Sequence, residues 1–173
     1  MKEGTPMSIE LIHKHETSED PLTMLEAAAE TLEFEMERVG ECELHVMLPG
    51  VWRDLGVWFT WRPELATLQM GAPIDLKAPA TRLEEASRLV TMVNERLWIG
   101  HFDLWTDDNA IVYRNATILP DGGALMASQA EALIRAASEA VDRFYPAFNF
   151  LVWGGKSPSD ALEASLFETA GSA

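Results

Sequence analysis

The sequence predicts an α+β fold in which an antiparallel sheet is packed with helices, in the order α-β-β-β-β-α-β-β-α-α. Three observations carry this. From Phe34 to Gly71 apolar and polar residues alternate, the period of a strand, with breaks only at Gly40, Pro49-Gly50 and Arg62-Pro63-Glu64. Connections that short make hairpins, because parallel neighbours need a long crossover. Helical spacing appears in few stretches, and strict βαβ alternation is missing.

Asp20-Pro21 starts the first helix, a capping aspartate followed by proline at the first helical position. Leu22, Leu25, Ala29 and Leu32 form its apolar stripe. Strands follow near Phe34–Val39, Cys42–Leu48, Val51–Trp61 and Leu65–Gly71. In the second, Leu44, Val46 and Leu48 share a face against Glu43, His45 and Met47. In the third, Val57, Phe59 and Trp61 oppose Trp58, Thr60 and Arg62. Pro73 and Pro79 bracket a connection to the second helix, where Thr81 and Glu84 fit a capping box. Its stripe is Leu83, Ala86, Val90, Val93 and Leu97, and Gly100 is expected to end it.

The fifth strand turns Phe102 and Leu104 inward and His101, Asp103 and Trp105 outward. Asp107-Asp108-Asn109 makes a hairpin into the sixth, Ala110–Leu119. Pro120-Asp121-Gly122-Gly123 breaks the chain. Ser128 and Glu131 fit a second capping box ahead of a long stripe from Leu133 to Val152. Pro146 inside that run is expected to kink or break it. Gly154-Gly155 closes it, and Ser157-Pro158 starts a last short helix. The stretch VNERLWIGHFDLW, Val93 to Trp105, joins helix to strand and reads as the hub of the fold.

A chain of 173 residues suits one domain, expected over 20–173 behind a loose arm at 1–19. Its formal charge of -15 repels phosphate backbones and anionic lipid heads, so nucleic acid and membrane are poor partners and a basic or neutral protein is a better one. One cysteine, no signal-peptide core and no apolar run of spanning length lead to the expectation of a soluble cytoplasmic protein.

Little here promises chemistry. His101 and Asp103 share a strand face and could orient a base or bind a metal, but no nucleophile accompanies them. His13 and His15 lack further ligands and read as solvated. Gly154-Gly155-Lys156-Ser157 resembles the end of a phosphate loop, yet Phe150 stands where its first glycine belongs, and a helix stop followed by a cap explains every residue. Cys42 is expected to face inward as an inert thiol. No cofactor is called for. Trp58 and Trp105 fall on the outer face: ordinary core if the long helix covers it, an exposed partner patch with His101 and Asp103 if it does not.

Three stretches carry a resemblance: RVGECELHVMLPGVWRDLGVWFTWRPELATLQ, VNERLWIGHFDLWTDDNAIVYRNATIL and FYPAFNFLVWGGKSPSDALEASLFETAG. They look like the YbjN family in the form common in alphaproteobacteria, over roughly Pro21 to Gly171. The resemblance implies a fold similar to type III secretion chaperones, which commonly pair into dimers, and a loose part in sensory transduction, with no catalytic residues to carry over. The expectation is therefore a non-enzymatic regulator or chaperone-like module, homodimeric, that binds a protein or peptide. An enzyme or metal protein built on His101 and Asp103 is the alternative.

Overall fold

The computed structural model describes residues 20–120 and 124–170. The chain runs through α1 (Pro21–Thr31), β1 (Glu35–Arg38), β2 (Glu43–Leu48), β3 (Leu55–Arg62) and β4 (Thr67–Lys77). It continues through α2 (Leu83–Asn94), β5 (His101–Leu104), β6 (Ala110–Ile118), α3 (Ala127–Val152) and α4 (Pro158–Ala170). The strands form one sheet in the order β1-β2-β3-β4-β6-β5, every pair antiparallel. This is the expected α+β order. The expected arm at 1–19 and residues 121–123 of the expected break lie outside the described residues.

The inward alternation holds as the pattern requires. Leu44, Val46, Leu48, Val57, Phe59, Leu68, Met70, Phe102 and Tyr113 are buried in one core with the apolar stripes of the helices. Asp20 caps α1 by accepting the Leu22 N–H at 3.0 Å, and Arg38 of β1 bonds the same carboxylate and Glu26 of α1. Pairing helix start to edge strand in this way fixes how α1 lies on the sheet.

Several boundaries move, each for a visible reason. The third strand starts at Leu55, not Val51, because Val51 and Trp52 are held by α3. Leu65 lies in a 3-10 turn, Pro63–Leu65, so the fourth strand starts at Thr67. That strand then runs to Lys77 straight through Pro73, which sits where the register with β6 shifts. A bulge is the place where a strand tolerates proline, since the missing N–H costs no ladder bond there. Neither expected capping box forms. Thr81 falls in a 3-10 turn and α2 starts at Leu83. α3 starts before Ser128, its first turn closed by Gln129 Oε1 accepting the Met126 N–H at 2.9 Å.

α2 ends at Asn94, well short of Gly100. The Asn94 amide is needed elsewhere: its Nδ2 donates to the Phe102 carbonyl at 3.0 Å and its Oδ1 accepts the Phe102 N–H at 2.8 Å. Gly100, at φ +66, instead lies under Tyr113, whose Oη would stand 2.3 Å from a Cβ there. Tyr113 donates its hydroxyl to the Ile99 carbonyl at 2.8 Å. Phe102 packs edge-on against Tyr113 and Phe144, with Phe148 beside them. The hub reading of Val93–Trp105 holds: a single amide, a glycine and an aromatic cluster tie α2, β5, β6 and α3 together.

α3 does not break at Pro146. Proline has no N–H, so the Asp142 carbonyl one turn earlier loses its helical donor. The Trp52 indole Nε1–H supplies it at 2.8 Å, and Asp142 Oδ1 accepts the Val51 N–H at 2.9 Å. The loop between β2 and β3 thus closes the gap in the helix. Near the C-terminus of α3, Arg82 pairs with Glu85 and donates to the Leu151 carbonyl of the last turn and to the Lys156 carbonyl beyond it. Ser157 caps α4 as expected, its Oγ accepting the Asp160 N–H at 3.2 Å. Cys42 is a correction: it is exposed, one residue before β2 starts.

Candidate functional site: the open sheet face

The helices pack on one face of the sheet and leave the other to side chains of the strands. His45, Met47, Trp58, Thr60, Gln69, Arg114 and His101 lie on that outer face, exposed or half-buried. The long helix therefore does not cover Trp58. The indole covers itself: Gly71 stands opposite on β4, and a Cβ there would meet the ring at 2.1 Å. Laying a large ring across a strand glycine buries apolar area without a second layer, which is how Trp58 comes to be half-buried on an open face.

One row across the sheet reads Trp58, Gly71, Arg114, His101. Trp58, Arg114 and His101 meet around a hollow of about 40 Å³, close to the size of one water molecule. Arg114 also pairs with Asp103 at 3.0 Å, and Asp103 accepts the Leu104 N–H. The structure thus links three of the four candidate residues, Trp58, His101 and Asp103, through Arg114. Trp105 stands apart beyond the end of β5, 38% exposed, with its N–H on the Ala110 carbonyl. It shares no patch with Trp58, since β4 and β6 lie between them.

The Asp103 carboxylate bonds Arg114 and the Leu104 N–H, and among the described residues no hydrogen bond joins it to His101. Among the described residues no group of three or more His, Cys, Asp or Glu side chains is placed to hold a metal ion.

On the other side of Trp58 the face opens into a groove of about 490 Å³. Its floor is Gly56 and Pro73, its apolar walls are Trp58 and Met47, and its rim carries Glu35, Glu37 and His45. His45 Nε2 lies 2.5 Å from Glu43 Oε1, a half-exposed pair that contributes little to stability. The groove borders β1, a sheet edge whose outward backbone groups meet no side chain of the described residues. The opposite edge, β5, is closed by Asn94. The volume and lining suit an extended segment with apolar side chains between basic ones.

Met47, Gly56, Pro73 and the acidic rim escape a reading of the sequence alone. Met47 and Trp58 interrupt the polar alternation of their strands, and that was the available signal. The glycine and proline that hollow the floor lie on different strands, so their meeting depends on register. Among the described residues no helix is long and apolar enough to cross a membrane.

Comparison with known proteins now bears on this fold. The crystal structure of E. coli YbjN, titled a putative transcription regulator, is similar at 14% identity and a TM-score of 0.49, covering 85% of this chain and 93% of that one. The crystal structure of the ExsC–ExsE complex is similar at 15% identity and a TM-score of 0.42, covering 73% and 94%. No curated protein matches the sequence. The model of the YbjN family, described as "putative bacterial sensory transduction regulator", matches residues 21–150. With that match spanning most of the sequence, from α1 into the far end of α3, the chain belongs to the YbjN family.

Proposed function

We propose that this protein is a protein-binding module of regulatory or chaperone-like kind, working without catalysis in the cytoplasm, and that it holds an extended partner segment in the groove beside Trp58. The observation that carries the reading is the outer face of the sheet, which no helix of the described residues covers. An apolar groove walled by Trp58 and Met47 runs beside a sheet edge, β1, whose outward backbone groups meet no partner among the described residues. Strand addition at such an edge gives affinity through main-chain bonds, and the groove selects alternate side chains. The rim of Glu35 and Glu37, on a chain of net charge -15, favours a segment carrying lysine or arginine. The family's description as a regulator of sensory transduction fits a protein that acts by binding.

The test is co-purification from the source cell's lysate with wild type, Met47→Lys and Glu37→Lys. Met47 is exposed and Glu37 lies on the edge strand, so both variants keep the core and should retain the wild-type melting temperature. A partner held by wild type and lost by both variants supports the groove as the binding surface. Equal retention by folded variants refutes it.

A further inference from the structure

Trp98 is 99% exposed, and Ile99 beside it is 54% exposed. Both stand in the turn between α2 and β5, away from the groove at Trp58. They overhang the outer side of α3, leaving a hollow of about 320 Å³ toward Ser128 and one of about 240 Å³ toward Arg143. A tryptophan left wholly in water at a hollowed apolar surface marks a contact surface.

The helix beneath says what covers it. Its outer side presents Glu131, Arg135, Glu139 and Arg143 one turn apart, alternating in sign, with Ala132 and Ala136 between them. Among the described residues none of these four charges makes an ion pair within the chain. The pattern is self-complementary. When a second α3 is laid antiparallel about a twofold axis level with residue 137, Glu131 faces Arg143 and Arg135 faces Glu139, each pair twice. The same operation brings Trp98, which sits level with Ala140 on its own helix, alongside the Ser128–Glu139 hollow of the other copy. The two alanines leave room for close approach of the helix axes. On a chain of net charge -15, this face is neutral, so two copies can meet here without the repulsion they would meet elsewhere.

We propose that two copies of this chain pair antiparallel along α3, with Trp98 of each packed against the other. The α3 face is the homodimer interface, and it leaves the groove at Trp58 free on both copies.

Sedimentation velocity of the full chain tests this, with Arg135→Glu, the double variant Arg135→Glu/Glu139→Arg, and Trp98→Ser. All three positions are exposed, so circular dichroism and melting temperature serve as the folding control. Wild type should dimerise. Arg135→Glu sets like charges opposite Glu139 and should raise the dimer Kd at least about tenfold. The double variant reverses both members of the pair and should recover wild-type affinity to within about threefold. Trp98→Ser should weaken the dimer as strongly as the single charge reversal. A wild type that stays monomeric to about 1 mM overturns the proposal. So does a double variant no better than the single one, or a Trp98→Ser protein that dimerises normally.

Discussion

The bond from Trp52 to the Asp142 carbonyl can be isolated by a double-mutant cycle. Pro146 deprives that carbonyl of its helical donor, and the Trp52 indole N–H replaces it at 2.8 Å. Trp52→Phe keeps an aromatic ring but removes the donor together with one ring of the indole, a packing loss that the cycle cancels. Leaving a carbonyl unpaired costs about 1–3 kcal/mol, and the 42% exposure of Trp52 admits water to the vacated place, so the lower end, about 1 kcal/mol, applies. For a chain of this size that lowers the melting temperature by about 2–4 °C. Pro146→Ala restores an N–H one turn from Asp142, so in that background Trp52→Phe should cost about 1 kcal/mol less than it does in wild type. The single effect of Pro146→Ala mixes a relieved helix with a lost buried ring and is not itself informative. The coupling, about 1 kcal/mol, is read from urea midpoints at constant m-value. If Trp52→Phe costs the same in both backgrounds, the indole is not the substitute donor.

Three further outcomes follow from the geometry. Gly71→Ala drives a Cβ into the Trp58 ring, so the indole should leave the sheet, with a red-shifted emission and a loss of about 1–3 kcal/mol; unchanged fluorescence would contradict the close approach. Asn94→Asp retains an acceptor for the Phe102 N–H but has no donor for its carbonyl, so it should lose about 1–3 kcal/mol and speed amide exchange in β5, while equal protection would show the pairing to be dispensable. Burial pushes the Asp142 carboxyl above its ordinary value, against the Val51 N–H and Ser138 bonds that pull it down. The folded state then holds this proton more tightly than the unfolded one, so this group's stabilisation is present at low pH and is lost as pH rises through the raised folded value. Asp142→Asn keeps the Oδ1 acceptor and removes the charge. Its stability relative to wild type should rise across that window and stay higher at neutral pH, and a difference constant with pH would refute the assignment.

The element order was legible because the periods of two and of a helical turn are properties of single segments. Leu44, Val46, Val57 and Phe59 declare their face without reference to any partner, and so does the Asp20-Pro21 helix start. What escaped depends on pairs distant in sequence. Thr81 and Ser128 satisfy a capping pattern, but α2 and α3 start where Arg82 reaches the end of α3 and where Gln129 closes the first turn. Gly100 looks like a helix stop, yet it is a glycine because Tyr113 occupies the space of its side chain. A helix running to Gly100 would hold Trp98 within it; Trp98 stands instead in the turn before β5. Cys42 followed the inward alternation one residue past the point where β2 starts. At the groove, Trp58 could be placed on the outer face from β3 alone. Its resting place on Gly71 could not, because the β3–β4 register is set by the turn at Pro63–Leu65 and not by either strand.

The unequal edges of the sheet have a consequence for how this protein can aggregate. A fibre grows by joining the leading edge of one sheet to the trailing edge of the next, and here the trailing edge is shut by the Asn94 amide on Phe102. Among the described residues only β1 presents open outward backbone groups, so joining β1 of one copy to β5 of the next is blocked. A single copy can therefore offer an open backbone to another polypeptide without templating head-to-tail growth of its own sheet.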